Sequence, residues 1–358
     1  MATIPLDDLL RLVIEEEASD LHLSVGVPPT LRLKGLLTPL NTAPLSAADM
    51  ETLARGITKP HQMEKVNAEG SVDFGFTFRD QSRFRVNVYR ERGNLAAAIR
   101  MLPKKMLSMD FIGLPPAVRE LLNIPRGLVL VTGPTGSGKT TSLASMLTEI
   151  NETSPRHIIT IEDPIEYYLD HKLGIVNQRE VGVDVPTFAD GLRRALRQDP
   201  DVILVGEMRD LETIETAIRA AETGHLVFST LHTTGAARTI DRIVDSFDAD
   251  RQQQVRVQLS MNLKAVISQL LIPTKDGKGR VAAFEVMINT SSIGALLRDN
   301  KSFRIHNEIL TGTKYGMVAL EASLVTLYRE GKITREQVIG LAQDPEVARQ
   351  LLGDRTPI

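Results

Sequence analysis

The sequence predicts an α/β protein in two parts: a small N-terminal α+β domain over residues 1–102 and a larger parallel α/β domain over residues 117–358, joined by a linker over 103–116. Three observations carry this expectation. In the second part, apolar runs at Leu128–Val131, His157–Ile161, Val202–Val205 and Leu226–Leu231 are too continuous for a one-sided sheet and alternate with helical stretches, the pattern of strands covered on both faces. In the first part, short strands of alternating polarity lie between amphipathic helices instead. Between the two, a stretch mixing prolines, methionines, lysines and Gly113 has the length to let one domain move against the other.

Taken in order, Ile4–Glu17 carries apolar positions at Leu6, Leu9, Leu10, Val13 and Ile14 and predicts a helix beginning near Pro5. Asp20–Ser24 and Thr30–Gly35 alternate around the turn at Gly26–Pro29, a hairpin. Leu45–Ile57 reads as a helix capped by Ser46, with Asp49 in its first turn. Ser71–Phe78 and Ser82–Val88 form a second strand pair around a turn containing Asp80. Its second strand sets Arg83 and Arg85 opposite Phe84, Val86 and Val88, and Ala96–Leu102 supplies a third strand.

Beyond the linker come a short helix at Ala117–Asn123, the strand leading into residue 133, and a helix over Thr140–Ile150. Gly174–Asn177 is a further strand candidate, and Phe188–Arg197 and Leu211–Glu222 are helices. Arg193, Arg194 and Arg197 share one side of the first, most simply a solvated face. Arg251–Ile272 predicts one long helix stopped by Pro273. A turn at Asp276–Gly279 leads to a strand at Arg280–Val286, and the tail is helical, with Gly331 as a C-terminal cap and Thr334 with Gln337 as a capping box.

With 358 residues, 42% hydrophobic and 24% charged, the chain has ordinary globular composition. A net charge of −3 provides no overall basic field, so nucleic acid is not an expected partner. The absence of cysteine excludes disulfides and thiolate metal sites and fits a reducing compartment. No apolar run approaches the roughly 18 residues of a membrane span and the N-terminus lacks a cationic start, so the cytoplasm is the expected location.

The centre of the chain is Gly133-Pro134-Thr135-Gly136-Ser137-Gly138-Lys139-Thr140-Thr141, which matches the phosphate-binding pattern G-x-x-x-x-G-K-[ST] between a strand and a helix. Its glycines let backbone N–H groups turn toward phosphate oxygens, at a helix N-terminus that itself favours anions. Lys139 is expected on the β/γ-phosphates and Thr140 on Mg²⁺. Pro134, Thr135, Ser137 and Thr141 complete the nucleotide cradle.

A parallel sheet binds its ligand at the carboxyl ends of its strands, and acids and a histidine fall there. Ile161-Glu162-Asp163-Pro164-Ile165-Glu166 follows one apolar strand, Glu207 another, and His232 a third. Hydrolysis needs one carboxylate in the metal shell and one to orient or deprotonate water. Glu162 and Glu207 are the candidates, and the sequence leaves open which is the base, because Gly206 stands where the usual aspartate of the second nucleotide motif would be. Thr140, Glu207 and Asp163 are the expected Mg²⁺ ligands, partly through water, and His232 the sensor of the γ-phosphate. Arg83, Arg85, Arg90 and Arg92 cluster on and beyond one strand of the first domain; a solvated face is the simplest account of such a run.

With these motifs in place the chain resembles the PilT/PilU-like type IV pilus retraction ATPases of twitching motility, within the type II/IV secretion ATPase family. The resemblance rests on Ala18–Leu23, Arg83–Val88, Gly133–Thr141, Ile161–Glu166, Arg197–Asp201, Val205–Asp210 and Ala221–His225 through Leu231–Thr234. It implies a PAS-like first domain and a RecA-like ATPase domain, ATP and Mg²⁺, an acidic box at Glu162, Asp163 and Glu166, and a histidine box from His225 to His232. It further implies a homohexamer in which Arg83, Arg85 and Arg90 reach a neighbour's phosphates. Such a ring works at the cytoplasmic face of the inner membrane, held there only through partners: an inner-membrane pilus platform protein and a paralogous motor.

Assembly-type members commonly carry a tetracysteine zinc site, so a chain without cysteine falls on the retraction side. Retraction members usually carry Ala-Ile-Arg-Asn-Leu-Ile-Arg-Glu where this chain has Ser292-Ile293-Gly294-Ala295-Leu296-Leu297-Arg298-Asp299, which leaves an accessory, low-turnover role open beside powered retraction. A pilus assembly or type II secretion motor is the remaining alternative.

Overall fold

A computed structural model of the chain describes residues 4–33, 35–79, 82–102 and 106–354. Contacts divide it into two compact units, residues 1–106 with Asp163–Tyr168, and residues 107–162 with 169–358. Asp80 and residues 103–105 of the linker lie outside the described residues.

In the first unit, α1 (Leu6–Glu15) buries Leu9, Leu10 and Val13, the positions its spacing singles out. β1 (Asp20–Leu23) pairs with β2 (Thr30–Leu33), and β2 with β3 (Leu36–Pro39), an exposed strand the sequence does not announce. α2 (Ala47–Ile57) opens with the expected Ser46 cap: its hydroxyl accepts from the Asp49 amide, and Asp49 returns the bond to the Ser46 N–H. α3 (Pro60–Glu69) is a further helix, marked by Pro60 in its first turn and left-handed Gly70 at its end. β4 (Ser71–Phe78), β5 (Ser82–Glu91) and β6 (Asn94–Met101) complete an antiparallel sheet of order β3-β2-β1-β6-β5-β4. Phe84, Val86 and Val88 are fully buried on one face of β5, which leaves Arg83 and Arg85 on the other.

The second unit begins with α4 (Met109–Ile112) and α5 (Ala117–Leu122), and Met109, Leu114 and Val118 are buried in its core. Its sheet contains β7 (Gly127–Thr132), β8 (His157–Glu162), β9 (Ile175–Glu180), β10 (Val202–Val205), β11 (Leu226–Leu231), β12 (Leu263–Pro273) and β13 (Arg280–Ile288), in the order β13-β12-β7-β11-β10-β8-β9. Every pairing is parallel except β12 with the edge strand β13. Every residue of β7, β10 and β11 is buried, as strands covered on both faces require. The covering helices are α6 (Lys139–Thr153), α7 (Phe188–Ala195), α8 (Leu211–Glu222), α9 (Ala236–Val244), α10 (Ala249–Asn262), α11 (Ser291–Arg298), α12 (Ile305–Thr311), α13 (Leu320–Arg329), α14 (Arg335–Leu341) and α15 (Pro345–Leu352).

The single long helix expected over Arg251–Ile272 does not form. α10 ends at Asn262, and Leu263–Pro273 is a strand hydrogen-bonded between β7 and β13. Leu263, Ala265, Val266 and Ile267 are fully buried. A largely apolar run satisfies helical spacing and a doubly covered strand equally well, and the free edge of β7 decides between them. The Thr334–Gln337 capping box forms as expected, and Gly331 takes a left-handed φ of 74° just beyond α13. Arg193 is paired with Asp190 and Glu212, the solvated-face outcome.

Candidate nucleotide site

The phosphate loop leaves β7 at Thr132 and enters α6 at Lys139, the strand–loop–helix context its pattern requires. β12 backs the loop closely. A Cβ on Gly133 would stand 2.2 Å from the Gln269 carbonyl oxygen, and one on Gly138 2.9 Å from the Gln269 side-chain amide. Gln269 is itself buried, and its Oε1 accepts from Ser142 Oγ of α6 at 2.7 Å, so one residue of β12 touches both ends of the loop. Sequence reasoning missed Gln269 because it placed that stretch on a helix. Its signal was there: Ala265–Ile267 and Leu270–Ile272 are short apolar runs of the kind buried strands carry, with Ser268 and Gln269 between them.

Lys139 is 8% exposed, and its Nζ donates to the carbonyls of Gly133 at 2.8 Å and Pro134 at 3.1 Å, curling back over the loop. His232, at the end of β11, brings Nδ1 to 3.5 Å from both Lys139 Nζ and Thr135 Oγ1. Its Nε2 lies 2.8 Å from Glu207 Oε1, which also receives Arg209 Nε at 2.8 Å. These partners suit a ring that donates from Nε2 to the carboxylate and offers the Nδ1 lone pair to the ammonium.

Glu162 ends β8, the neighbour of β10. Its Oε1 accepts from Thr160 Oγ1 at 2.6 Å and Gln178 Nε2 at 3.1 Å, which orients a carboxylate only 8% exposed. Gly206 donates to the Ile161 carbonyl at 2.8 Å, and a Cβ there would press to 3.1 Å from that same oxygen.

The loop fits a polyphosphate. Ser137 Oγ and Thr132 Oγ1 are buried hydroxyls with no hydrogen-bond partner in the protein, and Lys139 supplies the cation beside them. Thr140 and Thr141 occupy the first turn of α6. Beside the loop opens a cleft of about 610 Å³ between Pro134–Ser137, Leu270–Pro273 of β12, and Glu336, Gln337, Gly340 and Leu341 of α14.

Of the residues singled out in the sequence, Gly133–Thr141, Lys139, Glu207 and His232 come together and Glu162 stands at the next strand end. Asp163 and the arginines belong to the first unit. There Arg85 is paired with Asp73 at 2.7 Å, and this hydrogen bond raises its already high pKa. Arg83 stacks over the Tyr168 ring at 4.4 Å and donates to the Ile165 carbonyl at 2.6 Å. Arg90 donates to Asn67 at 2.6 Å and to the Gly93 carbonyl. The segment Asp163–Tyr168, with a cis peptide before Pro164, is thus bound to β5 by Arg83. Among the described residues no helix is long and apolar enough to cross a membrane.

The model of the family described as "Type II/IV secretion system protein" matches residues 3–312. The chain is 47% identical over 341 residues to the type IV pilus retraction ATPase PilT of Pseudomonas aeruginosa, covering 95% of this chain and 99% of that one. It is 46% identical over 318 residues to a twitching motility protein of Neisseria gonorrhoeae, covering 89% and 85% of the two chains. The crystal structure of the pilus retraction motor PilT with bound ADP superposes with a TM-score of 0.90 at 47% identity, covering 98% of this chain and all of that one. The chain therefore belongs to the type II/IV secretion system protein family, on the side of the pilus retraction ATPases.

Proposed function

We propose that the chain is a motor ATPase that hydrolyses ATP with Mg²⁺ and spends the cycle on retraction of type IV pili. The carrying observation is the Lys139–His232–Glu207 cluster against the phosphate loop, with the 47% identity to a retraction ATPase supporting the same reading. ATP is the substrate. Lys139 exchanges its two loop carbonyls for phosphate oxygens, Gly133–Thr141 wraps the β/γ-phosphates with backbone N–H groups, and the cleft beside the loop, with apolar walls at Leu270–Pro273 and Leu341, takes the base. Thr140 and Glu207 would hold Mg²⁺, which would neutralise charge on the transferred phosphoryl group. Glu207 or Glu162 orients the attacking water, and His232, joined to both Lys139 and Glu207, registers whether the outer phosphate is present.

The ring is a homohexamer. Arg83, Arg85 and Arg90 serve a neighbouring subunit's phosphates, which requires each to give up the partner it holds within its own unit. The motor sits at the cytoplasmic face of the inner membrane through a platform protein and works beside a paralogous motor. A purified oligomer of measured mass tests this: Lys139→Ala abolishes hydrolysis, and a wild-type rate in that variant overturns the reading. Deleting the gene gives surplus unretracted pili if the motor retracts, and bald cells if it assembles.

A further inference from the structure

The loop that carries His232 continues through Thr233, Thr234 and Gly235 into α9, and its far end is fastened by a buried polar chain that the hydrolytic residues do not use. The Gly235 N–H donates to Ser268 Oγ at 2.9 Å and the Ala236 N–H to Glu285 Oε1 at 2.7 Å. The other Glu285 oxygen accepts from Gln343 Nε2 at 2.7 Å. Gln343, between α14 and α15, and its neighbour Asp344 both donate backbone N–H groups at 2.9 Å to Glu321 Oε1 on α13. Glu285 is 1% exposed and Glu321 fully buried. Gln343 also closes over Gly235, where a Cβ would meet its Nε2 at 2.8 Å.

Two buried carboxylates are costly unless their oxygens are satisfied, and a partly satisfied network is worse than an apolar core. Here three backbone N–H groups and one amide, from elements far apart in sequence, reach three of the four carboxylate oxygens, and Glu321 Oε2 is buried without a hydrogen-bond partner. The arrangement does not serve packing, for which leucines would do better. It fixes where residue 235 stands relative to α13, α14 and α15.

We propose that Gln343 is a positioning residue for hydrolysis: through Glu285 it holds the His232 loop in register with the phosphate loop, and so makes turnover depend on the docking of the C-terminal helices. This rests on the reading of His232 as the residue facing the outer phosphate.

The full-length oligomer tests it with Gln343→Ala and with the swapped pair Glu285→Gln, Gln343→Glu, in which the hydrogen bond re-forms in the opposite sense. Gln343→Ala is expected to lower kcat about tenfold, the upper end of what one ordinary hydrogen bond is worth, with the affinity for a fluorescent ADP analogue unchanged. Amide exchange at 233–237 should quicken while 133–141 stays protected, and the swapped pair should recover kcat. Unchanged exchange at 233–237 in Gln343→Ala overturns the tether. Faster exchange with unchanged kcat, or a loss of kcat that only follows a loss of folded protein, overturns the positioning role. A wild-type oligomer without turnover would fail the proposed function instead, and the exchange measurement would still decide the tether.

Discussion

A single methyl group on Gly133 should cost this protein its nucleotide. The Cβ of Gly133→Ala would stand 2.2 Å from the Gln269 carbonyl oxygen and 2.8 Å from Ser137 Oγ, whereas real Cβ contacts stay beyond about 3.0 Å. The shortfall toward β12 is therefore close to 1 Å, against backbone rather than a flexible side chain. Gln269 cannot retreat cheaply, because its strand is hydrogen-bonded on both sides and its amide holds Ser142. The loop must move instead, and it carries the two carbonyls that Lys139 grips. The native φ of +140° adds backbone strain of ~1–3 kcal/mol for a non-glycine residue. A displacement of about 1 Å in a phosphate cradle is enough for a ~10²-fold loss.

Gly136→Ala is the control. It shares the positive φ, at +78°, but no atom lies within 4 Å of its Cβ position, so only the strain remains. Titration with a fluorescent ATP analogue, with thermal unfolding run beside it, should show Gly133→Ala folded and at least a hundredfold weaker, and Gly136→Ala within about tenfold of wild type. Equal affinities for the two variants, or a wild-type affinity in Gly133→Ala, would refute the claim that contact with β12 sets the shape of the loop.

Two further outcomes follow from particular contacts. Glu207→Gln should keep nucleotide binding while lowering kcat by ~10²–10⁴ if Glu207 is the base, and Glu162→Gln should then leave a clearly larger rate; single-turnover kinetics on both variants decides, and the reverse order assigns the base to Glu162. In the first unit, burial raises the Asp20 carboxyl but the hydrogen bonds from Arg100 and Ser19 outweigh it, so its pKa lies below the ordinary 3.8. A depressed acid lends stability above its unfolded pKa and loses it as the pH falls through the folded one, so acid unfolding of this unit should carry that contribution below about pH 4. Asp20→Ala should cost about 1.5–3 kcal/mol at neutral pH and flatten that acid limb; an unaltered acid midpoint, followed by circular dichroism, would show that the Arg100 pair contributes nothing.

Much of the site was legible because its chemistry is local. The glycines, Lys139 and Thr140 sit in one unbroken pattern, and that pattern works through backbone N–H groups of a single turn, so nine consecutive residues specify it. Glu162, Glu207 and His232 were legible as candidates through one rule, that a parallel sheet presents its ligand groups at its carboxyl ends, since each stands at or just beyond the end of its own apolar strand. The caps at Ser46 and Thr334 were equally local, since a capping box closes within four residues. α3 was missed although its signals were local too, with Pro60 at its start and Gly70 at its end.

What the chain by itself determined, then, is whatever a short segment can satisfy on its own: the phosphate loop, the caps, the buried strands and the alternation that puts Arg83 and Arg85 on one face of β5. Tertiary structure decided the rest. Leu263–Pro273 is a strand and not the end of a helix because the open edge of β7 offers its backbone groups partners, and an apolar run alone cannot say which partner it will have. That choice places Gln269 behind the loop and Ser268 under Gly235. The burial of Glu285, Glu321 and Gln343 joins residues 58 and 22 positions apart through bonds that exist only once the sheet and the C-terminal helices are packed, which is why no spacing in the sequence announces them.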